Sequence, residues 1–516
     1  MTDRRRSQPR WVGPAAAGVG AVAFGAGIGE LGAALLAPES SPVIVVGSLL
    51  IDLAPSWAKD AAIALFGTAD KVALLIGIGI ALTVAAGAAG VSEARRPPVG
   101  RLVIALLGVV GAVAASTRAN PPMLAVAPAA LAALAAVVAL QILTPRVPDA
   151  AGGVTDTGQA TGIDRRRFLG WAGGAAAIGA LAALGGYALQ AGSRSIAAIR
   201  DAIMLPKPAS TATVPAASEF KIDGLSALVT PNEEFYRIDT ALSVPAVDPS
   251  DWSLRIHGMV EREITITWDE LLALPLEESV TTLACVSNEV GGGLIGNALW
   301  LGYPIREMLA RASPSDDADM VLSRSIDGFT ASTPLAVLED DRNAILAVGM
   351  NGEPLPPEHG FPVRMVVPGL YGYVSATKWV TELEVTRFDA ASAYWTDRGW
   401  SDRGPVKISS RIDVPSARQS LAAGTITVAG VAWHQHVGID RVEVQVDGGS
   451  WREATLAPAI SIDTWVQWRY DWEASAGTHK LRVRAVGTDG EIQISDKQGV
   501  LPDGATGLDE RTVDVL

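Results

Sequence analysis

The residues best able to do chemistry fall in three short stretches of the second half of the chain. TTLACVSNEVGGG, residues 281–293, holds Cys285, the only cysteine among 516 residues. NGEPLPPEHGFPVRMVVPG, residues 351–369, sets His359 and Arg364 in a loop stiffened by proline. YGYVSATKWV, residues 371–380, follows a glycine turn with Ser375, Thr377 and Lys378, donors suited to a phosphate. A lone cysteine makes no internal disulfide and no CxxC metal knuckle. It is a small buried hydrophobe, a reactive thiol or a metal thiolate. A redox sensor would lack a resolving cysteine and need a partner molecule. Thiolate, His-Arg loop and Ser/Lys grip together describe a site for a large anionic metal cofactor. Singly, His359 also reads as a surface turn residue and Lys378 as a solvated strand end.

The elements around these residues read as α+β. DWSLRIHGMV and REITITWDEL alternate like strands, WDELLAL opens a short helix, and LWLGYPIREMLARA at 299–312 continues into a helix with Ile305, Met308 and Leu309 on one face. FPVRMVVPG and TKWVTELEV read as strands. From about residue 400 short strands alternate with turn residues. Val442, Val444 and Val446 run into an Asp-Gly-Gly turn, and Trp468, Tyr470 and Trp472 share a face. That pattern predicts an antiparallel β-sandwich.

The first 200 residues differ in kind. Apolar runs at about 15–37, 71–91, 102–117, 121–143 and 169–191 predict a bundle of five transmembrane helices, since a span takes roughly 20 apolar residues. The run at 43–54, broken by Asp52 and Pro55, reads as re-entrant or interfacial. Glu30 lies inside the first span, where it is expected to snorkel or pair with a neighbouring helix. Basic stretches at 2–10, 93–101 and 146–167 fall on one side of this arrangement, the cytoplasmic side. Residues 192–516 are then extracytoplasmic, and the protein is multi-pass in the plasma membrane. Arg165 and Arg166, followed by Phe168, Leu169 and a weakly apolar run, resemble a twin-arginine export signal, with a plain positive-inside flank as the other reading.

Residues 1–199 carry 15 Lys and Arg against 10 Asp and Glu, which leaves 26 against 45 beyond them. An acidic globular half excludes nucleic acid as partner and suits a basic soluble one. With no histidine before His257, the spans offer no axial ligand, and no haem is expected in this chain.

Cysteine followed by Asn288, then GGGLIGNALWLGYPIREML, then NGEPLPPEHGFPVRMVVPG and a Ser/Lys-Trp segment, resembles the molybdopterin-binding domain of the sulfite oxidase family. The later YWTDRGWSDRGPVKISSRIDVPSA and TITVAGVAWH segments resemble that family's immunoglobulin-like dimerisation domain. The resemblance covers roughly residues 225–515 and implies an oxidoreductase with one molybdenum-molybdopterin per chain. It implies that Cys285 is the metal's thiolate ligand, and that Asn232, Phe235, Tyr236, Ser325, His359 and Arg364 contact the cofactor. Ser375 and Lys378 would hold its terminal phosphate. Arg237 is the candidate for substrate contact.

Sulfite-oxidising members of the family follow the cysteine with arginines that grip the anion, whereas here Glu289 and Val290 follow Asn288, and Phe329 stands where those members place a tyrosine. A glutamate beside the metal would repel a dianion by roughly 1 to 4 kcal/mol. Sulfite-type oxidation and sulfoxide reduction therefore stay open. So does a non-catalytic alternative, an anchored binding or sensory protein. The expected domains are a five-span membrane domain at 1–191, a linker at 192–222, a molybdopterin-binding catalytic domain at 223–390 and the sandwich at 391–516, which implies a homodimer. The expected partners are a small-molecule or sulfoxide substrate, membrane lipid and a separate electron-transfer protein, either a cytochrome or a membrane redox protein.

Overall fold

The structure is a computed structural model and describes residues 11–37, 40–55, 58, 65, 70–118, 121–146, 165–193, 196–242, 244–416 and 419–516. The chain divides into two compact units, residues 1–195 with 240–243, and residues 196–239 with 244–516.

In the first unit every apolar run of the sequence is helical: Val12–Leu36, Pro42–Leu53, Asp70–Arg95, Val99–Ser116, Ala127–Leu143 and Arg165–Ser193. Among the described residues three helices, Val12–Leu36, Ala73–Arg95 and Val99–Ser116, are long and apolar enough to cross a membrane. Ala127–Leu143 and the apolar part of the last helix, Gly170–Gly185, are shorter than a full span. Helix Val12–Leu36 packs through small residues. A Cβ at Gly27 would lie 1.9 Å from the Gly179 carbonyl oxygen, so only glycine permits that backbone approach. Glu30 accepts a hydrogen bond from the Ser41 hydroxyl at 2.8 Å and one from Val43 N at 3.4 Å, placing its carboxylate at the N-terminus of helix Pro42–Leu53. The basic stretch at 2–10 and residues 147–164 of the last loop lie outside the described residues, while Arg165 and Arg166 open the final helix.

The second unit begins with two sheets. The first has the order β2-β1-β10-β5-β6, from β1 (Ser253–Gly258), β2 (Ile264–Thr267), β5 (Met320–Ser325), β6 (Thr330–Pro334) and β10 (Val380–Thr386). The second has the order β3-β4-β7-β8, from β3 (Glu277–Ala284), β4 (Ile295–Pro304), β7 (Ile345–Met350) and β8 (Glu353–Pro354), with β9 (Arg364–Val366) also paired to β7. Thr267 and Glu270 form a capping box that starts helix Trp268–Leu272. Ile305, Met308 and Leu309 share the buried face of helix Ile305–Ala312, as their spacing predicts.

The sandwich pairs β11 (Ser409–Val414), β13 (Gly424–Trp433), β17 (Val466–Ala474) and β16 (Thr455–Leu456) in the order β11-β13-β17-β16. Its other sheet runs β12-β19-β18-β14-β15, from β12 (Ser420–Leu421), β14 (Ile439–Val446), β15 (Arg452–Glu453), β18 (Gly477–Gly487) and β19 (Glu510–Val515). Ile412, Val428, Val442, Val444, Trp468, Leu481, Val483 and Val513 fill the space between the sheets.

Residues 196–222, most of the stretch read as a linker, pack on this second unit. Arg200 donates to the carbonyls of Pro354 and Leu355 and pairs with Glu353 at 2.8 Å. Ala209 N donates to Leu276 O at 2.7 Å, and Ser210 bridges Glu277 in parallel. Proline and alanine leave too little apolar surface for a core, but the backbone of an extended segment still bonds along a strand, and composition does not reveal that.

Candidate active site

Strand β3 ends at Ala284 and delivers Cys285 to the head of a loop that returns into β4. Cys285 N donates to Leu294 O at 2.9 Å, and Leu294 N donates to the Asn288 side chain at 2.8 Å, closing the loop around the thiol. Cys285 is buried. Burial pushes its thiol above the usual range, against the opposing pull of the Ser287 amide and hydroxyl. Tyr236 and Tyr371 both lie close enough for a charge on Cys285 to act on them. Burial raises both phenols, Tyr371 to about 12, so at neutral pH both keep their protons.

Beyond Tyr236 is a nest of buried cations. Arg364 extends from β9 with its guanidinium 5.1 Å from the centre of the Trp300 ring. It donates to the carbonyl oxygens of His359 at 3.0 Å, Met365 at 3.3 Å and Ala376 at 3.5 Å, with no carboxylate bonded to it among the described residues. Burial brings it down to about 10. Lys378 donates to Asp239 at 2.6 Å and to Glu358 O at 3.0 Å, and burial lowers it to about 8. His359 is buried, its Nε2 lies 2.9 Å from Asn232 O, and burial lowers it to about 4. The ring is therefore neutral at pH 7 and donates through Nε2.

The remaining expected site residues take definite places around these two centres. Phe235 packs in the core, 5.8 Å from Trp300 and 5.5 Å from His359 between ring centres, and stacks on Tyr236 at 5.2 Å. Asn232 accepts from Asn351 at 2.8 Å and, through its carbonyl, anchors His359. Arg237 donates to the same Asp239 oxygen as Lys378, at 2.9 Å, so it sits at the Lys378 end of the nest. Ser375 donates to Tyr371 O at 2.9 Å and Leu370 O at 3.3 Å and so holds the turn that carries Tyr371. Ser325, opposite Val380 across β5 and β10, organises the 325–329 turn by accepting from Asp327 N at 3.5 Å. Glu289 is exposed, which puts its repulsion toward the lower, water-screened end of the expected range. Phe329 packs against Tyr394 at 5.8 Å.

Two residues that the motifs did not single out matter here. Tyr371 stands beside Cys285, and its only signal in the sequence is its place in the glycine turn before Ser375. Asp239 gathers Lys378 and Arg237, and a lone aspartate in an irregular stretch carries no signal at all.

Residues 241–395 match the oxidoreductase molybdopterin binding domain, and residues 409–483 match a bacterial Ig domain. The chain is 32% identical over 160 residues to the uncharacterized oxidoreductase YuiH of Bacillus subtilis, covering 30% of this chain and 76% of that protein. It is 31% identical over 271 residues to mitochondrial sulfite oxidase of Mus musculus, covering 44% of this chain. The chain belongs to the sulfite oxidase family of molybdenum oxidoreductases. It spans about half the length of the mouse relative, 49%. Among solved structures, the sulfane dehydrogenase SoxCD of Paracoccus pantotrophus matches with a TM-score of 0.49 and 23% identity, over 56% of this chain and 82% of that one.

The residues fit the family's cofactor. A guanidinium taken fully out of water and met only by carbonyls and a π face is costly unless an anion joins it. A buried thiol pushed up in pKa becomes a thiolate when a metal replaces its proton, and sulfur suits a soft centre. Arg364 and Lys378 would hold the phosphate and pterin, and Cys285 the metal.

Proposed function

We propose that this chain is a membrane-anchored molybdopterin oxidoreductase that moves an oxygen atom and two electrons outside the cytoplasm. The observation that carries the reading is a solitary buried thiol adjoining a buried guanidinium, Arg364, with no carboxylate bonded to it among the described residues. The cofactor, when bound, supplies the two-electron redox chemistry. The chain's own residues then have separable tasks. Cys285 gives up its proton on loading. Arg364 and Lys378 neutralise the anion, with Ser375 holding the turn beside them. His359, fixed on Asn232, keeps one ring face for the pterin, with Phe235, Tyr236 and Ser325 shaping the wall. Arg237 meets substrate or cofactor at the outer end of the nest.

The proton-bearing phenols of Tyr236 and Tyr371 offer neutral donors near Cys285, where a grip on a dianion would need cations. This favours a neutral sulfoxide over sulfite. Molybdenum and pterin analysis of the purified chain tests the first claim, and their absence would overturn it. A screen of sulfite-type reductants against sulfoxides tests the second, and faster turnover with sulfite would reverse the preference.

The anchor in this reading is a five-span bundle in the plasma membrane, with Ala127–Leu143 and Arg165–Ser193 joining Val12–Leu36, Ala73–Arg95 and Val99–Ser116. Arg165 and Arg166 direct export of the folded half, so changing both to lysine should strand it in the cytoplasm. Electrons pass to a separate protein. A basic cytochrome drawn to the acidic half should associate more slowly as salt rises, whereas a salt-indifferent rate would point to a membrane redox protein. Light scattering of the full chain in detergent tests whether the sandwich pairs two copies.

A further inference from the structure

His434 follows β13 at the end of the sandwich and is 92% buried, being only 8% exposed. Its Nδ1 is out of water and has no hydrogen-bond partner. A buried imidazole nitrogen left in that condition costs free energy, so its surroundings need an explanation. Two carboxylates from the turn after β18 converge on the ring. Asp489 Oδ1 lies 3.9 Å from Nδ1, and Glu491 Oε2 lies 3.8 Å from Nε2. Both distances exceed hydrogen-bond reach. One ring nitrogen and one oxygen from each acid lie within 4.8 Å of one another, and among the described residues this is the one group of three metal-ligating side chains.

The two acids face different ring nitrogens and the three ligand atoms span up to 4.8 Å, so to share one ion the carboxylates must close in on a single nitrogen. Two donors each about 2.0–2.1 Å from a shared Zn²⁺ stand roughly 3 to 4 Å apart. Asp489 and Glu491 are exposed, 47% and 50%, so either can rotate by the small amount needed to meet the same nitrogen. The backbone leaves the room required. A Cβ at Gly487 would stand 2.5 Å from both His434 Nδ1 and Asp489 Oδ1, so any other residue at that position would fill the gap between them. Glu491 N donates to Asp489 Oδ1 at 3.0 Å, which aims that carboxylate and leaves its other oxygen uncommitted in the turn.

We infer that His434, Asp489 and Glu491 form a site for one Zn²⁺ ion, three protein ligands with water in the fourth position. The ion braces the loop through which the sandwich holds the pterin-binding region. Gln435, the next residue, donates to Thr282 O on β3. Asp463, 3.1 Å from His436, accepts from Thr282 N at 3.0 Å through its carbonyl. Thr282 lies three positions before Cys285. The ion thus stiffens the support of the strand that ends at the thiol, from outside the active site.

The test is calorimetric titration of Zn²⁺ into the purified full chain, cleared of loosely held divalent metal by a chelator and desalted. One Zn²⁺ per chain should bind, with the thermal midpoint rising as the ion is added. The double variant Asp489→Asn, Glu491→Gln changes only exposed side chains and keeps the fold. It should bind at least about tenfold more weakly, since losing even an outer partner of a metal ligand costs about 10–100-fold. His434→Gln should lose the site. Absence of saturable binding, or binding and midpoint shift unchanged in the double variant, overturns the inference.

Discussion

In the sandwich, charged side chains pair across strands at the rim: Arg484 with Glu443 at 2.6 Å, Lys480 and Arg482 with Glu510 at 2.8 and 2.9 Å. The interior holds Val428, Val442, Val483, Trp468 and their neighbours. The pterin-binding region does the reverse. Arg364, Lys378 and His359 lie inside, each lowered by burial, and Arg364 has carbonyls where a carboxylate would be expected. The sandwich pairs its rim charges with one another, whereas Arg364 is met only by carbonyls and a π face. That contrast separates residues that make the fold from residues that wait for a ligand, and substitutions can break it or sharpen it.

Cys285→Ser should give the largest effect on function and almost none on folding. Turnover and molybdenum content should fall to background while circular dichroism and the thermal midpoint of the cofactor-free chain stay put. Retained turnover would remove the thiol from the centre. Trp468→Ala should do the opposite, costing about 3–5 kcal/mol of stability by leaving a cavity between the sheets. Denaturant titration reads that loss, and a cost below about 1 kcal/mol would mean the sandwich core collapses around the gap.

The pH dependence of the cofactor-free chain separates the regions again. His359 is lowered to about 4 in the folded chain, so between that value and its ordinary 6.5 the unfolded chain binds more protons. Stability from this group is present above about pH 6.5 and lost as pH falls toward 4, to a total of roughly 3 kcal/mol. His359→Gln should flatten that slope, and an unchanged slope would assign it elsewhere. The smallest expected effect is the most telling. Arg364→Met should leave the cofactor-free chain as stable as before or up to about 1 kcal/mol more so, because a buried cation without a carboxylate does not stabilise it. The same variant should lose pterin. A clear loss of stability would make Arg364 a structural residue.

Much of this arrangement is legible in the sequence because periodicity survives folding. The alternation of Val442 and Val444 predicts their burial in β14, and the spacing of Ile305, Met308 and Leu309 predicts one buried helix face. Cys285, His359, Arg364 and Lys378 are legible as a set because each is an unusual residue in a short stretch that also contains glycine or proline. Tyr371, Asp239 and the His434 cluster are not. Their meaning lies in partners far along the chain, as with Asp239 and Lys378, 139 residues apart. The membrane runs predict helices correctly, and among the described residues three of those helices are long and apolar enough to cross a membrane.

The segment around Leu228 has a consequence for timing. Its carbonyl accepts from Asn297 in the pterin-binding region and from Trp465 in the sandwich, and Ser226 O accepts from Gln467. Trp465 is translated 237 residues after Leu228, a wait of roughly 10 to 50 s at ordinary ribosomal speed. Until then the wall beside β3 is unfinished. A nascent chain therefore cannot close its active site early, and cofactor loading has to follow completion of the last strands rather than accompany synthesis.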